Sequence, residues 1–513
     1  KFYIKLMNVG TNLLSSPLVK EAPMANTAQG IQHPEHLIGG EWVSGAGAEF
    51  TSCNPARPSE IVASFHGGTR DDLASAVSVA LSAQGDWETK GSIARGVILR
   101  KVADLMEDRR EVLAALMTRE QGKTFPESLG EIDGSVETIR YHAAKGRDST
   151  GRTFPSSFPG EHIETVRQAL GVVAVITPWN FPTQIPAWKI APALLWGNTV
   201  VWKPAGDIPA ISCAFAQVFH DAGVPAGVFN MVLAPGSVAQ SLVDDPRIAG
   251  ITFTGSVGVG KQIADSATSR GVKVQLELGG NNAAIVMPDA DPEFAAVQLL
   301  VGAMSGSGQK CTATRRIITV GGIREPFIEY FTAAVKALVV GDGADSTTTT
   351  GPVISERSKA EIESAVADAV SDGGRIVAQA SIPQGEGFYV APTVIEGTMQ
   401  VRTCKEEVFG PITTLLHAES LTQAIELANA TEFGLTASIF SSNDADIAQA
   451  TRELQAGLIK INAPNTGSEL HVPFGGLKES TFPGPREQNA ESASEFFTVT
   501  KSVYRRIAPR GGN

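Results

Sequence analysis

The chain has 513 residues, of which 42% are hydrophobic, and a net charge of −12 from 42 basic and 54 acidic side chains. A chain of this length exceeds one hydrophobic core, so two or three domains are expected. The acidic balance, without a block rich in Lys or Arg, excludes nucleic acid and anionic membrane surfaces as partners. The sequence contains no run of about 18 apolar residues, so no membrane-spanning helix is predicted.

Cysteine usage indicates a reducing compartment. The four cysteines are spread over the chain without a Cys-x-x-Cys pair, which argues against a disulfide framework and against a zinc site. We therefore expect no bound metal and a cytoplasmic location. Residues 1–29 are expected to be an N-terminal extension, because they lack the apolar core and the cleavage site of a signal peptide.

Apolar runs alternate with helical patterns after residue 170. Continuous apolar runs are typical of buried strands, and the amphipathic stretches between them are typical of helices. The predicted strands are Val172–Ile176, Thr199–Trp202, Ile251–Phe253 and Val274–Leu278, and the predicted helices are Thr183–Trp196, Ile211–Ala222 and Val257–Ser269. This alternation predicts right-handed βαβ units around a parallel sheet.

A second α/β series follows Gly279. Its predicted strands are Ala283–Val286, Ile317–Val320, Leu435–Phe440 and Leu458–Ile461, and its predicted helices include Pro326–Leu338, Ala360–Ser371 and Asp444–Leu454. A second parallel sheet is therefore expected.

Two further segments have a different character. Arg147–Val166 is rich in Ser, Thr, Gly and Pro, which indicates either a loop or an extended hairpin. Glu495–Tyr504 alternates between apolar and polar residues, which predicts a strand near the end of the chain.

Three residues of different chemistry have distinctive neighbours. Cys311 follows a Gly-Ser-Gly run that lets a substrate approach the backbone closely, and Lys310 beside it would favour the thiolate. Glu277 ends an apolar strand before a Gly-Gly turn, where a carboxylate can change position and act as a base. Asn180 lies in a turn between two prolines. Each has an ordinary alternative: a buried thiol, a partnered core carboxylate and a turn asparagine.

These positions and their flanking residues resemble the aldehyde dehydrogenase superfamily, from about Ile38 to Tyr504. The stretches concerned are Gly308-Gln309-Lys310-Cys311-Thr312, Leu276-Glu277-Leu278-Gly279-Gly280 and Pro178-Trp179-Asn180-Phe181-Pro182. The resemblance implies that the Cys311 thiolate attacks an aldehyde while Asn180 and the Cys311 amide hold the oxyanion. It also implies that Glu277 activates water to release the acid from a thioester. Lys189 matches a supporting lysine of the family, although a solvated helix lysine would have the same pattern.

The resemblance implies an α/β fold with a variant Rossmann cofactor domain, an α/β catalytic domain and a small β oligomerisation element. The expected ranges are 30–146 with 170–276 for the dinucleotide-binding domain, 277–485 for the catalytic domain, and 147–169 with 486–506 for the oligomerisation element. In the family, the protruding hairpin pairs with the C-terminal strand for oligomerisation. A homodimer or homotetramer is therefore expected.

The cofactor is expected at a Gly-rich turn, Phe253–Gly260, which leads from a strand into a helix whose N-terminus suits a pyrophosphate. The resemblance implies NADP or NAD. It assigns Gly255, Ser256 and Gly260 to the phosphates, Lys203 to the adenosine ribose, Glu407 and Phe409 to the nicotinamide ribose and ring, and Ile176, Pro178, Trp179 and Leu278 to the same path.

One position departs from the family members that prefer NAD. Those members usually carry Glu three residues after the cofactor lysine, where this chain has Gly206. Loss of that carboxylate removes repulsion against a 2′-phosphate, which Lys203 would then bind. Because Asp207 is the next residue, both cofactors stay open.

Several stretches are most similar to the α-ketoglutarate semialdehyde (2,5-dioxopentanoate) dehydrogenase branch of the family, among them Ile185–Pro192, Gly457–Asn462 and His471–Gly476. The branch implies a small aldehyde that bears a carboxylate. Candidate substrate-binding residues are the cations Arg315 and Lys460 and the aromatic residues Trp188 and Phe474, although either cation can instead face solvent or another chain.

Other functions stay open. Aromatic aldehydes such as vanillin, or aliphatic aldehydes, are alternative substrates. A non-redox acyl-enzyme hydrolase that uses the same Cys and Glu, or a catalytically silent scaffold, belongs to a different class of function. The cofactor residues disfavour the hydrolase, and the complete set of Cys311, Glu277 and Asn180 disfavours the scaffold.

Overall fold

The computed structural model describes residues 35–148, 150–484 and 488–506. The predicted N-terminal extension, residues 1–29, lies outside the described residues, as do residues 30–34, 149 and 485–487 within the predicted domains. Within the described ranges, none of the helices is both long and apolar enough to cross a membrane.

The strands belong to five sheets in the described part of the chain. In chain order they are β1 (His36–Ile38), β2 (Glu41–Val43), β3 (Glu49–Asn54), β4 (Arg57–His66), β5 (Thr153–Phe154), β6 (Glu161–Ala169), β7 (Val172–Ile176), β8 (Thr199–Lys203), β9 (Phe229–Met231), β10 (Ile248–Thr254), β11 (Lys273–Glu277), β12 (Asn282–Val286), β13 (Thr314–Val320), β14 (Arg375–Gln379), β15 (Thr393–Glu396), β16 (Ile412–Ala418), β17 (Phe433–Gly434), β18 (Thr436–Phe440), β19 (Leu458–Ile461), β20 (Leu477–Lys478) and β21 (Thr498–Arg506).

The helices alternate with these strands. They are α1 (Arg70–Thr89), α2 (Ser92–Asp108), α3 (Arg110–Gln121), α4 (Phe125–Ala144), α5 (Gln184–Leu195), α6 (Pro209–Asp221), α7 (Gly236–Val243), α8 (Val257–Thr268), α9 (Pro292–Met304), α10 (Arg324–Lys336), α11 (Glu356–Ser371), α12 (Arg402–Lys405), α13 (Leu421–Asn429), α14 (Asp444–Glu453) and α15 (Ala490–Phe496).

The first large sheet has seven strands in the order β11-β10-β7-β8-β9-β1-β2. Its five strands from β11 to β9 run parallel, and β1 and β2 extend the sheet in antiparallel pairing. Strands β7 and β8 are buried along their whole length, as expected for a parallel sheet covered by helices on both faces. All four strands predicted for this series are confirmed, and the three predicted helices begin and end within two residues of α5, α6 and α8.

The second large sheet also has seven strands, in the order β14-β15-β16-β13-β12-β18-β19. Only the β14–β15 pair within it is antiparallel. The four predicted strands and three predicted helices of this series are confirmed. Helix α11 begins at Glu356, earlier than predicted, because the Ser355 side chain accepts a hydrogen bond from the Ser358 amide and caps an extra turn. The α/β fold class is therefore confirmed.

A separate antiparallel sheet has the order β21-β6-β5. Of the two alternatives for Arg147–Val166, the extended hairpin is the one present, and it is formed by β5 and β6. Strand β21 pairs along β6, from Thr498 opposite Ala169 to Arg506 opposite Glu161. The predicted strand Glu495–Tyr504 was wrong at its start. Residues 495–496 belong to the last turn of α15, where the rings of Phe496 and Phe497 are buried in the core instead of alternating along a strand.

The carboxyl ends of the parallel strands place the functional candidates together. Lys203, Ile176, Phe253 and Leu276 are paired in one row across β8, β7, β10 and β11, and Glu277 follows directly after this row. Ligands of open α/β sheets bind beyond this edge of the strands. Lys203, Ile176 and Glu277 therefore lie together at the carboxyl ends of the parallel strands of the first sheet.

Candidate active site

Cys311 follows a tight turn, residues 305–308, at the end of α9. The main chain is left-handed at three successive residues that end in Gly308, with φ of 61°, 54° and 65°. A side chain at Gly308 would collide with the main-chain oxygen of Gly410, so this close approach requires glycine. The turn therefore brings Cys311 against residues 407–411.

The thiol of Cys311 is half-buried and lies among charges. Burial raises its pKa to about 12, and the negative charges of Glu407 and Glu277 act in the same direction. The main-chain N–H of Cys311 and the guanidinium of Arg315 lower the pKa. The resting form at neutral pH is therefore the thiol, and the positive groups around it favour the thiolate that a nucleophile requires.

Asn180 reaches this turn from the first sheet. Its buried side chain, 5% exposed, donates a hydrogen bond of 3.0 Å from Nδ2 to the main-chain oxygen of Gln309, two residues before Cys311. The second hydrogen of the amide group is left for another acceptor. The structure therefore brings Asn180 and Cys311 together across the two large sheets.

An ion pair that the sequence did not indicate fixes the main chain of Asn180. Lys123 Nζ donates 2.8 Å to the Asn180 carbonyl oxygen and lies 2.5 Å from Glu131 Oε2, with both side chains buried. Glu131 Oε1 accepts a hydrogen bond of 2.9 Å from the main-chain N–H of Thr183, just before α5. Together these contacts hold both ends of the turn that carries Asn180.

One signal in the sequence was available for Glu131. It belongs to a set of polar residues in α4 that recur at helical spacing and are all buried: Ser128, Glu131, Ser135, Thr138 and His142. A polar stripe that is buried must face polar partners, so the stripe indicates a polar site next to α4. For Lys123, which follows α3, no comparable signal exists.

Glu277 lies at the end of β11 and is 2% exposed. Burial lowers the pKa of Lys189 to about 7, and the negative charge of Glu277 offsets part of this shift. Lys189 Nζ donates 2.9 Å to Thr252 Oγ1 and 3.2 Å to Gln488 Oε1. Lys189 is therefore a buried, partnered lysine beside the candidate base, and it is not the solvated helix lysine that was the alternative.

Glu407 and Phe409 lie in the segment that follows α12. Glu407 Oε1 accepts a hydrogen bond of 3.1 Å from the main-chain N–H of Gly280, in the turn that follows Glu277. Burial raises the Glu407 pKa to about 7, which the Arg315 guanidinium partly offsets. The Phe409 ring packs edge-on against Trp179 with centroids 5.7 Å apart.

A cavity of about 530 Å³ lies beside Trp179, Glu407 and Phe409, whereas Cys311, Asn180, Glu277 and Lys189 are not among its lining residues. Its walls include Trp179, Asp207, Glu407 and Phe409 from the predicted site, and Arg357, Glu361 and Arg402 from α11 and α12. Pro178 is half-buried directly before Trp179, and Ile176 ends the strand below it. A cavity of this size is within the range of small-molecule and cofactor sites.

Lys203 and Asp207 combine opposite charges. Burial lowers the pKa of Lys203 while Asp207 raises it, and burial raises the pKa of Asp207 while Lys203 lowers it. An added Cβ on Gly206 would meet no heavy atom within 4 Å. Position 206, where family members that prefer NAD usually carry Glu, therefore has open space for a side chain.

Gly255, Ser256 and Gly260 surround the first turn of α8. Ser256 is the N-cap residue, and its side chain makes no capping hydrogen bond, so the first N–H groups of the helix remain available to an anion. A Cβ on Gly260 would lie 2.5 Å from the Leu278 side chain, so the helix packs against the end of β11. This cradle fits the phosphates of a dinucleotide.

Trp188 and Phe474 pack against each other with ring centroids 5.5 Å apart. Within the described residues, Trp188 Nε1 is buried without a hydrogen-bond partner. Phe474 exchanges two main-chain hydrogen bonds with Gln488, the residue that accepts from Lys189. The two aromatic candidates are therefore joined to the same cluster as Lys189.

The two candidate cations lie in different surroundings. Arg315 is 2% exposed and donates to main-chain oxygens on both sides of the Cys311 turn. Lys460 is half-buried on the edge strand β19, paired with Ser438, and no hydrogen bond or ion pair joins it to the other site residues in the described part of the chain. Within the described residues, no group of three or more His, Cys, Asp or Glu side chains is arranged to hold a metal ion.

A family model described as "Aldehyde dehydrogenase family" matches residues 42–503. The chain belongs to the aldehyde dehydrogenase family. It is 41% identical over 477 residues to the alpha-ketoglutaric semialdehyde dehydrogenase of Bacillus subtilis (strain 168), and this match covers 91% of the chain and 97% of that protein.

Solved structures extend the comparison. A betaine aldehyde dehydrogenase from Staphylococcus aureus in complex with NAD+ has a TM-score of 0.90 and 31% identity, with 94% of this chain and 96% of that chain covered. An NADP-dependent enzyme from E. coli has a TM-score of 0.90 and 32% identity, and the match covers 94% of this chain and 100% of that chain. As an aldehyde dehydrogenase, the chain is an oxidoreductase that acts on aldehydes and uses NAD or NADP, as predicted.

Proposed function

We propose that this aldehyde dehydrogenase oxidises a semialdehyde that bears a carboxylate, with α-ketoglutarate semialdehyde as the first candidate. The observation that carries the chemistry is that Asn180 and Glu277, from the first sheet, both act at Cys311: Asn180 binds the main chain two residues before Cys311, and the charge of Glu277 acts on the Cys311 thiol. The name of the Bacillus subtilis relative supports the substrate.

In the first half-reaction, the Cys311 thiol releases its proton to solvent, and Sγ bonds to the aldehyde carbon as the carbonyl π bond opens. The oxygen gains negative charge, and the second N–H of Asn180 Nδ2 and the Cys311 main-chain N–H stabilise it. Because these donors are fixed before the reaction, they need no reorganisation, which is the source of their effect on the rate. When bound, the nicotinamide cofactor supplies the oxidising chemistry by accepting a hydride from this carbon. A thioester on Cys311 remains.

In the second half-reaction, Glu277 accepts a proton from water, whose oxygen bonds to the thioester carbon. The bond to Sγ breaks, the acid is released, and the thiol recovers its proton. The position of Glu277 between the Lys189 cluster and the Gly279-Gly280 turn supports this role. The charges of Lys189 and Glu277 favour each other, since the negative charge of Glu277 raises the Lys189 pKa against the effect of burial.

The residues that would hold the cofactor divide along the cleft. Gly255, Ser256 and Gly260 would bind the phosphates at α8, and Lys203 would bind the adenosine ribose or a 2′-phosphate. Glu407 and Phe409 would hold the nicotinamide end, with Ile176, Pro178, Trp179 and Leu278 along the wall. The uncapped first turn of α8 and the open space at Gly206 support this arrangement.

Trp188 and Phe474 are proposed to form the apolar wall of the substrate site, and Lys460 is proposed to bind the distal carboxylate. The loop that follows β19 supports the role of Lys460, because Asn465 Oδ1 accepts a hydrogen bond of 2.7 Å from Thr314 Oγ1, three residues after Cys311. The loop from Lys460 therefore returns to the nucleophile.

The oligomerisation element and the domain ranges are part of the same proposal. Residues 147–169 and 486–506 would pair with a second copy, which gives a homodimer or homotetramer. The exposed aromatic residues of this sheet, Phe154, Phe158 and Tyr504, support self-association. Light scattering after size exclusion measures the assembly, and a monomer at micromolar concentration would contradict it.

The substrate proposal is tested by the absorbance of reduced nicotinamide with α-ketoglutarate semialdehyde, pentanal and benzaldehyde, each with NAD+ and NADP+. The semialdehyde is expected to have a kcat/KM higher by about ten- to hundredfold, since the bound substrate would complete the burial of the half-buried Lys460, and a buried cation paired with a carboxylate contributes a few kcal/mol. Lys460→Met should remove this advantage, while the exposed Lys336→Met serves as the control. Equal kcat/KM for the three aldehydes would overturn the substrate and leave the aldehyde chemistry intact.

A further inference from the structure

Arg315 joins two main-chain segments of the active site. We define the nucleophile loop as residues 305–311 and the cofactor segment as residues 407–411. The guanidinium donates 2.7 Å to Gly308 O and 3.1 Å to Lys310 O in the nucleophile loop. It also donates 2.7 Å to Gly410 O in the cofactor segment. One side chain therefore holds both segments through three carbonyl oxygens.

The nucleophile loop needs such a tie. Its backbone is left-handed at three successive residues, and Ser307 is one of them, although residues with a Cβ rarely adopt this conformation. A strained backbone of this kind persists only where surrounding contacts determine it. Hydrogen bonds from a charged donor are stronger than those from a neutral donor, so the guanidinium is suited to hold the loop.

The surroundings of the guanidinium leave it little access to a substrate. Arg315 is 2% exposed, and the Phe409 ring lies 5.7 Å from its central carbon. In the described part of the chain, no carboxylate lies within ion-pair distance of it. Its positive charge is therefore available to the groups that face it across the site, which are Glu407 and Cys311.

We propose that Arg315 is a positioning residue, which fixes the nucleophile loop against the cofactor segment and places a positive charge beside the Cys311 sulfur. This role rests on the proposed function of Cys311 and replaces the expected contact with a substrate carboxylate. The same guanidinium binds the main chain of the nucleophile loop and the main chain of the cofactor segment. Cys311 Sγ and residues 407–411 therefore keep one relative position.

The charge around the sulfur has several sources. Glu277 and Glu407 disfavour the thiolate, whereas Arg315 favours it. Lys310, from the loop itself, interacts with the Cys311 charge, but its Nζ donates 2.7 Å to Ser305 Oγ and its pKa is lowered by burial. Without Arg315, the two carboxylates would dominate, and the sulfur would hold its proton to a higher pH.

The test compares Arg315→Met and Arg315→Lys with the unaltered enzyme and with Arg452→Met, an exposed control in the last turn of α14. The first measurement is the rate at which iodoacetamide alkylates Cys311 as a function of pH, followed by mass spectrometry of the peptide and without cofactor or substrate. At pH 8, Arg315→Met should react about tenfold more slowly, which corresponds to an apparent shift of about one pH unit. Arg315→Lys should recover most of this rate, because it keeps the charge.

The second measurement is single-turnover acylation with a carboxylate-bearing aldehyde and with pentanal. Arg315→Met should lower the rate by about ten- to hundredfold with both aldehydes, and Arg315→Lys should also lower it, because lysine cannot reach three carbonyl oxygens in a fixed plane. A loss with the charged aldehyde alone would show a substrate contact and overturn the proposal. Unchanged alkylation in a variant that has only a lower unfolding midpoint would overturn it as well.

Two variants distinguish an error in the role of Arg315 from an error in the role of Cys311. If Cys311 is not the nucleophile, Cys311→Ala retains aldehyde oxidation. If only the role of Arg315 is wrong, Cys311→Ala is inactive, while Arg315→Met retains the Cys311 reactivity and acylation rate of the unaltered enzyme.

Discussion

The side chain of Asn180 donates a hydrogen bond of 3.0 Å to the main-chain oxygen of Gln309, two residues before Cys311. This bond connects a turn of the first sheet to the nucleophile loop, and it fixes the plane of the Asn180 amide group. With one N–H engaged by Gln309, the other has a defined direction. An oxyanion donor requires this kind of preorganisation.

Asn180→Ala is expected to lower the rate of acylation by about 10²–10³, the usual cost of one oxyanion-hole donor. Single-turnover mixing of enzyme, cofactor and aldehyde measures this rate directly. Asn198→Ala, which alters another buried asparagine that serves the fold, is the control for a general loss of structure. An effect below about tenfold on acylation would indicate that Asn180 is only a turn residue.

The Lys123–Glu131 ion pair should be strongly coupled. Lys123→Met leaves the Glu131 carboxylate buried without its cation, which is expected to cost about 3–5 kcal/mol in the free energy of unfolding. Lys123→Met combined with Glu131→Gln should lose less than the sum of the single changes. Urea unfolding at one fixed protein concentration gives the free energy of unfolding of the unaltered protein, the two single variants and the double variant. Additive losses would show that the two side chains do not depend on each other.

The sequence identified the residues that stand in recognisable local patterns. Cys311 after Gly-Ser-Gly, Glu277 at a strand end and the Gly-rich turn before α8 are local features, and in the structure the charge of Glu277 acts on the Cys311 thiol. Glu131 stands in the polar stripe of α4, but its pairing with Lys123 was missed, because that pairing depends on how α3 and α4 approach the Asn180 turn, and no local pattern encodes that distance.

Two interpretations of the sequence depended on burial, which the local pattern did not reveal. Residues 495–497 alternate no worse than the strand that follows, but the packing of Phe496 and Phe497 in the core ends α15 there. Arg315 was expected to face a substrate, whereas the close approach of Gly308 and Gly410 gives it three main-chain acceptors. Such tertiary contacts outweigh local preference.

Glu277→Gln should slow hydrolysis of the thioester while it leaves formation of the thioester nearly unchanged, because the base acts on water after the oxidation step. Rapid mixing is then expected to show a burst of reduced cofactor close to one equivalent per site, followed by a slow steady state. A loss of the burst together with the steady state would mean that Glu277 already acts during acylation.

Glu120 should make the stability of the protein fall as the pH rises. Its buried carboxylate accepts hydrogen bonds from Ser52 Oγ and from the Ala210 and Ile211 amides, and burial raises its pKa from 4.5 to about 7. Between these two values the folded state keeps a proton that the unfolded state has lost. Its contribution is therefore present below pH 4.5 and disappears towards pH 7.

The expected size of this effect is at most about 3–4 kcal/mol, because the pKa of 4.5 rises to about 7 on folding and each pKa unit corresponds to about 1.36 kcal/mol. Urea unfolding between pH 5 and pH 8 measures it as the difference between the unaltered protein and Glu120→Gln, with the exposed Glu426→Gln as the control. The stability advantage of Glu120→Gln should grow with pH across this window. A difference that does not change with pH would show that Glu120 is ionised in the folded protein throughout.

Gly206→Glu should move the cofactor preference towards NAD+. The open space around Gly206 admits a side chain, and a carboxylate there would lie beside Lys203 and repel a 2′-phosphate. The unaltered enzyme is expected to use NADP+ at least as well as NAD+, and Gly206→Glu should lower kcat/KM for NADP+ by about ten- to hundredfold. Gly206→Gln supplies the same bulk without charge, so an equal loss in that variant would attribute the effect to size. Strong preference of the unaltered enzyme for NAD+ would instead assign the discriminating charge to Asp207, whose interaction with Lys203 is already present.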